Sequence, residues 1–360
     1  MKRVAQTIRR SALTILAAGA GLLGANPAAA ATCGIVSSGT STAEVPYDPF
    51  NPTGLGSTQI TLQLQRINGG GGEKTDIVNF YLRAGNANAN GTQIVANSVV
   101  VEGNVEGLGY DVFYDSTETP PIVSPTSVSP TAANKFLKIY FTGNNPASDY
   151  ATVNFTVTLP PNLNLTSSAN LSFDAVFGCS TTGGGNPTQQ TGQIPNAITF
   201  PIRVLSALQA SYAGTSLDFG EIGNVTTPDV QTSPGSYRTP NTNYVRVQSS
   251  GPYQVDLTSQ NGYRMTFPGG NLGDPNQRVN YSLKFLGETR SATAATAISK
   301  VCTRAGVGTA FEDHLFIQAT LQEGGQGKMV APNYRDILTV VVSPLSVPDP
   351  GLDCNAFVTP

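Results

Sequence analysis

Tryptophan is absent from this 360-residue chain, histidine occurs once, and charged residues make up only 12% of it. Without tryptophan, a cleft that cleaves sugars lacks its usual stacking platform. With His314 alone, and no two cysteines close together, a metal centre has almost nothing to build on. No basic cluster appears along the chain, which excludes nucleic acid as a partner. Helix-favouring stretches are scarce, and after the first thirty residues no apolar run reaches membrane-spanning length.

The first thirty residues have their own pattern. Lys2, Arg3, Arg9 and Arg10 precede the short apolar run "SALTILAAGAGLLGA", and "NPAAAAT" supplies small residues for a peptidase. This is the layout of a signal peptide over residues 1–30, with cleavage near Ala30 or Ala31 and export as its consequence. Cleavage leaves 16 basic against 23 acidic residues, a net charge of −7. All four cysteines, Cys33, Cys179, Cys302 and Cys354, lie in the exported part and predict disulfides formed in an oxidising compartment. Pairing within each half, Cys33 with Cys179 and Cys302 with Cys354, is one of three connectivities.

Glycine (38 residues) and proline (25 residues) are plentiful, and they punctuate short runs of alternating apolar and polar residues. "STQITLQLQRI", "DYATVNFTVTLP" and "ANLSFDAVFGCS" are typical of the first half, "PYQVDLTSQ", "VNYSLKFLG" and "HLFIQATLQ" of the second. Strands of this length and spacing, without helices between them, predict an all-β chain of two immunoglobulin-like β-sandwich domains in tandem, over residues 31–206 and 207–360. "NGGGGEKT" reads as a hairpin tip, because Glu73 stands where a phosphate-binding loop needs glycine and no helix follows.

The last strand, in "NYRDILTVVVSP", poses a problem. Tyr334, Leu338, Val340 and Val342 share one face and Ile337 and Val341 the other, so both faces are apolar, as expected of a strand inside a core. Yet Pro344, Pro348 and Pro350 follow, and the chain offers no further strand to cover it. A missing central strand withholds several large side chains at about 1.5–3 kcal/mol each, roughly a domain's whole net stability. The second sandwich therefore reads as lacking its final strand.

These residues carry a resemblance. "LDFGEIG" at 217–223, and the closing pattern of Gly327, Tyr334, Asp336 and the apolar run 337–342, resemble the spore-coat-protein-U domain of archaic chaperone–usher pilus subunits. Cys33 and "VPYDPFNP" in the first half are similar to that family's opening more loosely. The resemblance implies assembly by donor-strand complementation, in which a foreign strand completes the sandwich. Its implied partners are a periplasmic pilus chaperone, an outer-membrane usher and an adjacent pilin subunit that donates a strand, and it implies no cofactor. The implied groove runs along Tyr334, Ile337, Leu338, Val340, Val341 and Val342. Because Cys33 follows the expected cleavage point so closely, no donor arm is left, which implies a two-domain tip adhesin displayed on a surface pilus.

For the adhesive contact, the segment 104–130 offers Leu108, Tyr110, Val112, Phe113, Tyr114, Ile122 and Val123 among Gly, Pro and Ser. One reading makes it a hydrophobic hairpin that meets a surface or ligand; the other makes "YDVFYD" an ordinary strand packed inward. Two further functions stay open: a stand-alone secreted coat protein, and a secreted hydrolase. The second lacks support, since Glu312, Asp313 and His314 come with no nucleophile-elbow pattern.

Overall fold

The computed structural model describes residues 33–357 except 42–43, 70–72, 101–104, 122–123, 125–127, 167 and 183–188. The expected signal peptide lies outside the described residues.

The chain is nearly all β and forms tandem β-sandwiches. The first comprises β1 (Ile35–Ser41), β2 (Val45–Tyr47), β3 (Leu55–Arg66), β4 (Lys74–Ala84), β5 (Gln93–Val100), β6 (Val105–Glu106), β7 (Phe113–Tyr114), β8 (Leu137–Tyr140), β9 (Tyr150–Leu159), β10 (Ser168–Thr182) and β11 (Gln189–Val204). One sheet runs β1-β3-β9-β5, the other β2-β11-β10-β4-β8-β6 with β7 beside β4. Period-two alternation drives the layering: Ile60, Leu62 and Leu64 of β3 lie opposite Phe155, Val153 and Ala151 of β9 in the same sheet, all fully buried in one core. Cys33 and Cys179 are joined, tying the chain just ahead of β1 to β10 across that core. Arg66, opposite Ile35 at the same end, is buried and donates to Asp149 Oδ1 at 2.8 Å and to the carbonyls of Thr75 and Phe141 at 3.2 and 3.1 Å.

The second sandwich comprises β12 (Leu208–Ala213), the short helix α1 (Thr227–Thr232), β13 (Tyr244–Ser249), β14 (Tyr253–Ser259), β15 (Arg264–Thr266), β16 (Arg278–Phe285), β17 (Glu288–Ser291), β18 (Ile298–Cys302), β19 (Asp313–Leu321) and β20 (Leu338–Pro344). One sheet runs β12-β13-β19-β16-β15 with β17 beside β16; facing it is a sheet of only three strands, β18-β14-β20. At the junction, Ser250 Oγ donates to the Leu205 carbonyl at 2.6 Å, and Ser206 Oγ donates to the Leu345 carbonyl at 2.7 Å. Arg304 reaches across to Asn164 and to the Leu165 carbonyl, the latter at 3.0 Å.

The tail after β20 turns away from it. Leu345 N–H donates to the Pro252 carbonyl, Thr303 N–H donates to the Leu352 carbonyl, and Cys354 is bonded to Cys302 at the end of β18. Closing a loop of 52 residues is worth about 4 kcal/mol by chain entropy. Cys354→Ser with Cys302→Ser is accordingly expected to lower the thermal midpoint by about 10 °C, read by calorimetry, while leaving the first sandwich's transition in place.

Beside this staple, Tyr253 Oη donates to Asp313 Oδ2 at 2.6 Å. Burial pushes the Asp313 carboxyl above its ordinary range, and Asp353 adds to this; the Tyr253 hydrogen bond and His314 oppose it. A raised folded value means that the group's stabilising contribution is complete in acid and is lost as pH rises through that value. Asp313→Asn, which still accepts from Tyr253, is expected to raise the melting temperature at neutral pH and change it little near pH ~4. Equal shifts at both pH values would count against this assignment.

Candidate functional site

β20 owes its extended form to a run of β-branched residues, Thr339–Val342, that follows the polar anchor Asp336. It pairs antiparallel with β14 from Leu338 opposite Ser259 to Pro344 opposite Tyr253, and with no other strand among the described residues. The strand therefore lies at a sheet edge, contrary to the expectation from its two apolar faces. Leu338, Val340 and Val342 are half-buried against the second core, whereas Ile337 and Val341 are 55% and 50% exposed. An edge of this kind leaves a row of backbone N–H and C=O groups unpaired, and nothing along Leu338–Ser343 blunts it: no lysine, no proline and no bulge.

The facing sheet has the same shortfall on the same flank. Among the described residues, β12 pairs with β13 alone. Between the two edges a groove of ≈530 Å³ opens into the core. Ile317, Ala319, Met265 and Tyr281 form its interior; Leu338 and Val340 line one bank and Tyr212 the other. The segment that leaves β12 through Gly214, whose φ of +119° disfavours any side chain, brings Leu217 and Phe219 over the groove. Phe219 sits 6.3 Å from the Tyr281 ring, centroid to centroid. A second hollow of ≈480 Å³ shares Leu217, Phe219, Met265 and Tyr334 with the first and extends it toward Gly327 and Met329.

Of the six residues expected to form a groove, Tyr334, Ile337, Leu338 and Val340 line it. Val342 packs on the core beyond its end, and Val341 points out to solvent. None of residues 345–357 pairs with β20; Phe357 packs against the second core beside Gly287 instead. Sequence reasoning missed Leu217 and Phe219 as lining residues. Their i, i+2 spacing in "LDFGEIG" was the available signal.

Asp336 holds the groove's entrance. It accepts hydrogen bonds from Ser259 Oγ at 2.5 Å, Tyr281 Oη at 2.6 Å and the Asn261 N–H at 3.0 Å. Burial, and then the bond to Asp336, push the Tyr281 phenol well above its ordinary range, so it remains a neutral donor.

Over its described residues, 105–121, the segment does not form a protruding apolar hairpin. Val112, Phe113 and Tyr114 are buried, Phe113 packing edge-on to Phe173 at 5.2 Å and Tyr114 to Tyr81 at 5.0 Å. The cause is backbone pairing: Val112 N–H donates to the Ile94 carbonyl of β5, while Leu82 N–H of β4 donates to the Val112 carbonyl, so this stretch bridges the two sheets. Tyr110 is half-buried, its hydroxyl donating to the Phe136 carbonyl at 2.8 Å, and Leu108 is the exposed member at 40%. Ile122 and Val123 lie outside the described residues. His314 is half-buried at the start of β19, its Nε2 2.8 Å from Glu312 Oε1.

No protein-family model matches the chain, and no curated protein matches it. Among solved structures it is similar to a complex described as a chaperone–tip adhesin complex of CFA/I fimbriae, at 14% identity and a TM-score of 0.32 over 85% of this chain and 78% of that one. It is similar to the CupB6 tip adhesin of Pseudomonas aeruginosa, at 8% identity and a TM-score of 0.25 over 86% and 94%. It is also similar to AggA, the major subunit of aggregative adherence fimbriae type I of Escherichia coli, at 11% identity and a TM-score of 0.22 over 48% and 95%. TM-scores this low carry no functional argument.

Proposed function

We propose that this chain is a non-enzymatic adhesin displayed at the tip of a surface pilus, its second sandwich completed by a strand from another polypeptide. One observation carries this reading: β20 and β12 are unpaired edges flanking an apolar groove that the chain's own described tail does not cover. Strand addition satisfies such edges with backbone hydrogen bonds while alternate side chains enter the groove. The occupant is a periplasmic chaperone during export and, once the chain is handed to an outer-membrane usher, a neighbouring subunit. β1, the first strand after the expected cleavage point, is used inside the first sandwich, where it pairs with β3, which supports a subunit that accepts a strand and gives none. The spore-coat-protein-U resemblance agrees with this reading.

The first sandwich makes the contact with the target surface. Of the described part of the segment 104–123, the large apolar residues left to take part are Leu108 and Tyr110. The test is purification of the exported chain from a periplasm. Recovery as a one-to-one complex with a chaperone of the pilus type supports the proposal. A monomer that stays folded and unaltered when offered strand peptides supports a stand-alone coat protein instead.

A further inference from the structure

The open edge of β20 is short. Gln260 N–H donates to the Ile337 carbonyl and Leu345 N–H to the Pro252 carbonyl, so the odd-numbered residues of this stretch turn their backbone groups toward β14. Leu338, Val340 and Val342 turn theirs toward the open edge, while their side chains pack on the core. Pro344 has no N–H to carry the ladder further. Ahead of β20 the chain belongs to the facing sheet: Thr266 N–H donates to the Arg335 carbonyl at 3.0 Å and Arg335 N–H to the Thr266 carbonyl at 2.9 Å. A strand added here therefore finds its backbone partners along residues 338–342.

The hollow of ≈480 Å³ lies past the Leu338 end of that ladder. Leu217, Phe219, Ile222 and Met265 wall it with apolar surface, and Tyr334 joins it to the groove. Its rim is apolar and open, with Met329 49% exposed and Val330 100%. Exposed side chains of this size beside an apolar hollow mark a contact surface. The rim is also unbalanced in charge. Lys328 is taken, donating to Glu323 Oε2 at 2.7 Å and to the Pro275 carbonyl at 2.8 Å. Asp218 and Glu221 accept from the N–H of Gly220 at 2.9 Å and of Gly223 at 3.1 Å, and neither has a lysine or arginine partner among the described residues.

We propose that the polypeptide filling the groove is held at two places: a strand paired along residues 338–342 and, past the Leu338 end, a bulky apolar side chain in the second hollow, followed by a lysine or arginine at Asp218 and Glu221. On the strand-addition reading, on which this rests, the occupant is the segment of a neighbouring subunit that flanks its donated strand. The hollow buries a side chain without needing a ladder, and two unpaired carboxylates at its mouth select a cation over an anion.

The test is titration of the full exported chain with dye-labelled, end-blocked peptides, followed by fluorescence anisotropy. The probes are the strand Leu-Thr-Leu-Thr-Leu alone, the same strand extended by Gly-Phe-Lys after it or by Lys-Phe-Gly before it, and versions with glycine for phenylalanine or glutamate for lysine. The two extensions cover the two directions in which a strand can run. One of them is expected to bind about tenfold or more tighter than the strand alone, a gain lost when glycine replaces phenylalanine and reduced in Val330→Ser. Glutamate in place of lysine weakens it several-fold, and that preference disappears in Asp218→Asn with Glu221→Gln, whose amides still accept from the glycine N–H groups. These exposed substitutions leave the affinity for the strand alone unchanged, which shows that the variants are folded. If the strand alone saturates and neither extension binds tighter, this proposal fails and the groove reading stands. A gain that is indifferent to lysine or glutamate overturns the role of Asp218 and Glu221. No saturable binding of any peptide removes the groove reading, and the second hollow with it.

Discussion

Val340→Asp is expected to abolish strand capture: the chain should no longer co-purify with a chaperone or appear on the cell surface. Val340 lines the groove between Leu338 and the β14 ladder and is half-buried against the second core. A carboxylate there must either stay in water, which keeps a donor's side chains out, or be buried unpaired, which costs several kcal/mol. The wild-type groove offers the reverse. Three to five donor side chains, each worth about 1.5–3 kcal/mol on burial, give a gross gain of roughly 5–15 kcal/mol before ordering costs. Saturating the chain with a peptide of alternating large apolar residues should therefore raise its thermal midpoint by about 10 °C, since occupancy at a thousand times Kd adds about 4 kcal/mol. Val340→Asp should show neither the rise nor the co-purification. Val341→Asp is the matched control on the outer face of the same strand, where the side chain is already half exposed, and it should keep most of both. A Val340→Asp chain that binds and melts like wild type would remove the groove from the account.

What could be read from the sequence divides along physical lines. Period-two patterns in β3, β9, β14 and β19 are strong because each strand buries one face, and in these the alternation alone selects the inward residues. β20 misled on its place in the sheet. Val340–Val342 is apolar on both faces, which periodicity assigns to an interior strand, yet Val341 is half exposed at an edge. Sequence pattern reports which side chains avoid water, not whether the chain that shields them is its own. The segment 104–123 misled for another reason. Its glycines and prolines signal a loop, but backbone bonds to Ile94 and Leu82 recruit Val112 and Phe113 into the core. Groove residues Leu217 and Phe219 lie in a segment without regular structure, where two apolar residues at i and i+2 are too short a signal to place against a distant cavity.

Asp336→Ala is the second large effect, and it separates building the groove from filling it. The carboxylate gathers Ser259 Oγ, Tyr281 Oη and the Asn261 N–H, and so fixes the turn after β14, the inner wall at β16 and the start of β20 at one point. Tyr281 is almost fully buried. Removing its acceptor leaves the phenol cut off from water with only the Ser259 hydroxyl beside it. Hydrogen bonds to a charged group are worth about 1.5–3 kcal/mol each, so losing three should destabilise the second sandwich by roughly 5–9 kcal/mol, comparable to a domain's whole margin. Asp336→Asn keeps one accepting oxygen but brings an amide that donates, and should lie between wild type and alanine. Tyr281→Phe takes away the orphaned donor together with its bond, so Asp336→Ala combined with Tyr281→Phe should be less destabilised than the two separate losses added, by about 1–2 kcal/mol. Because the damage falls on the walls, a strand peptide that reaches the groove should recover part of the lost stability in Asp336→Ala and none in Val340→Asp. Strict additivity in the cycle, measured by denaturant unfolding, would mean that Asp336 and Tyr281 act apart and that the entrance is held by something else.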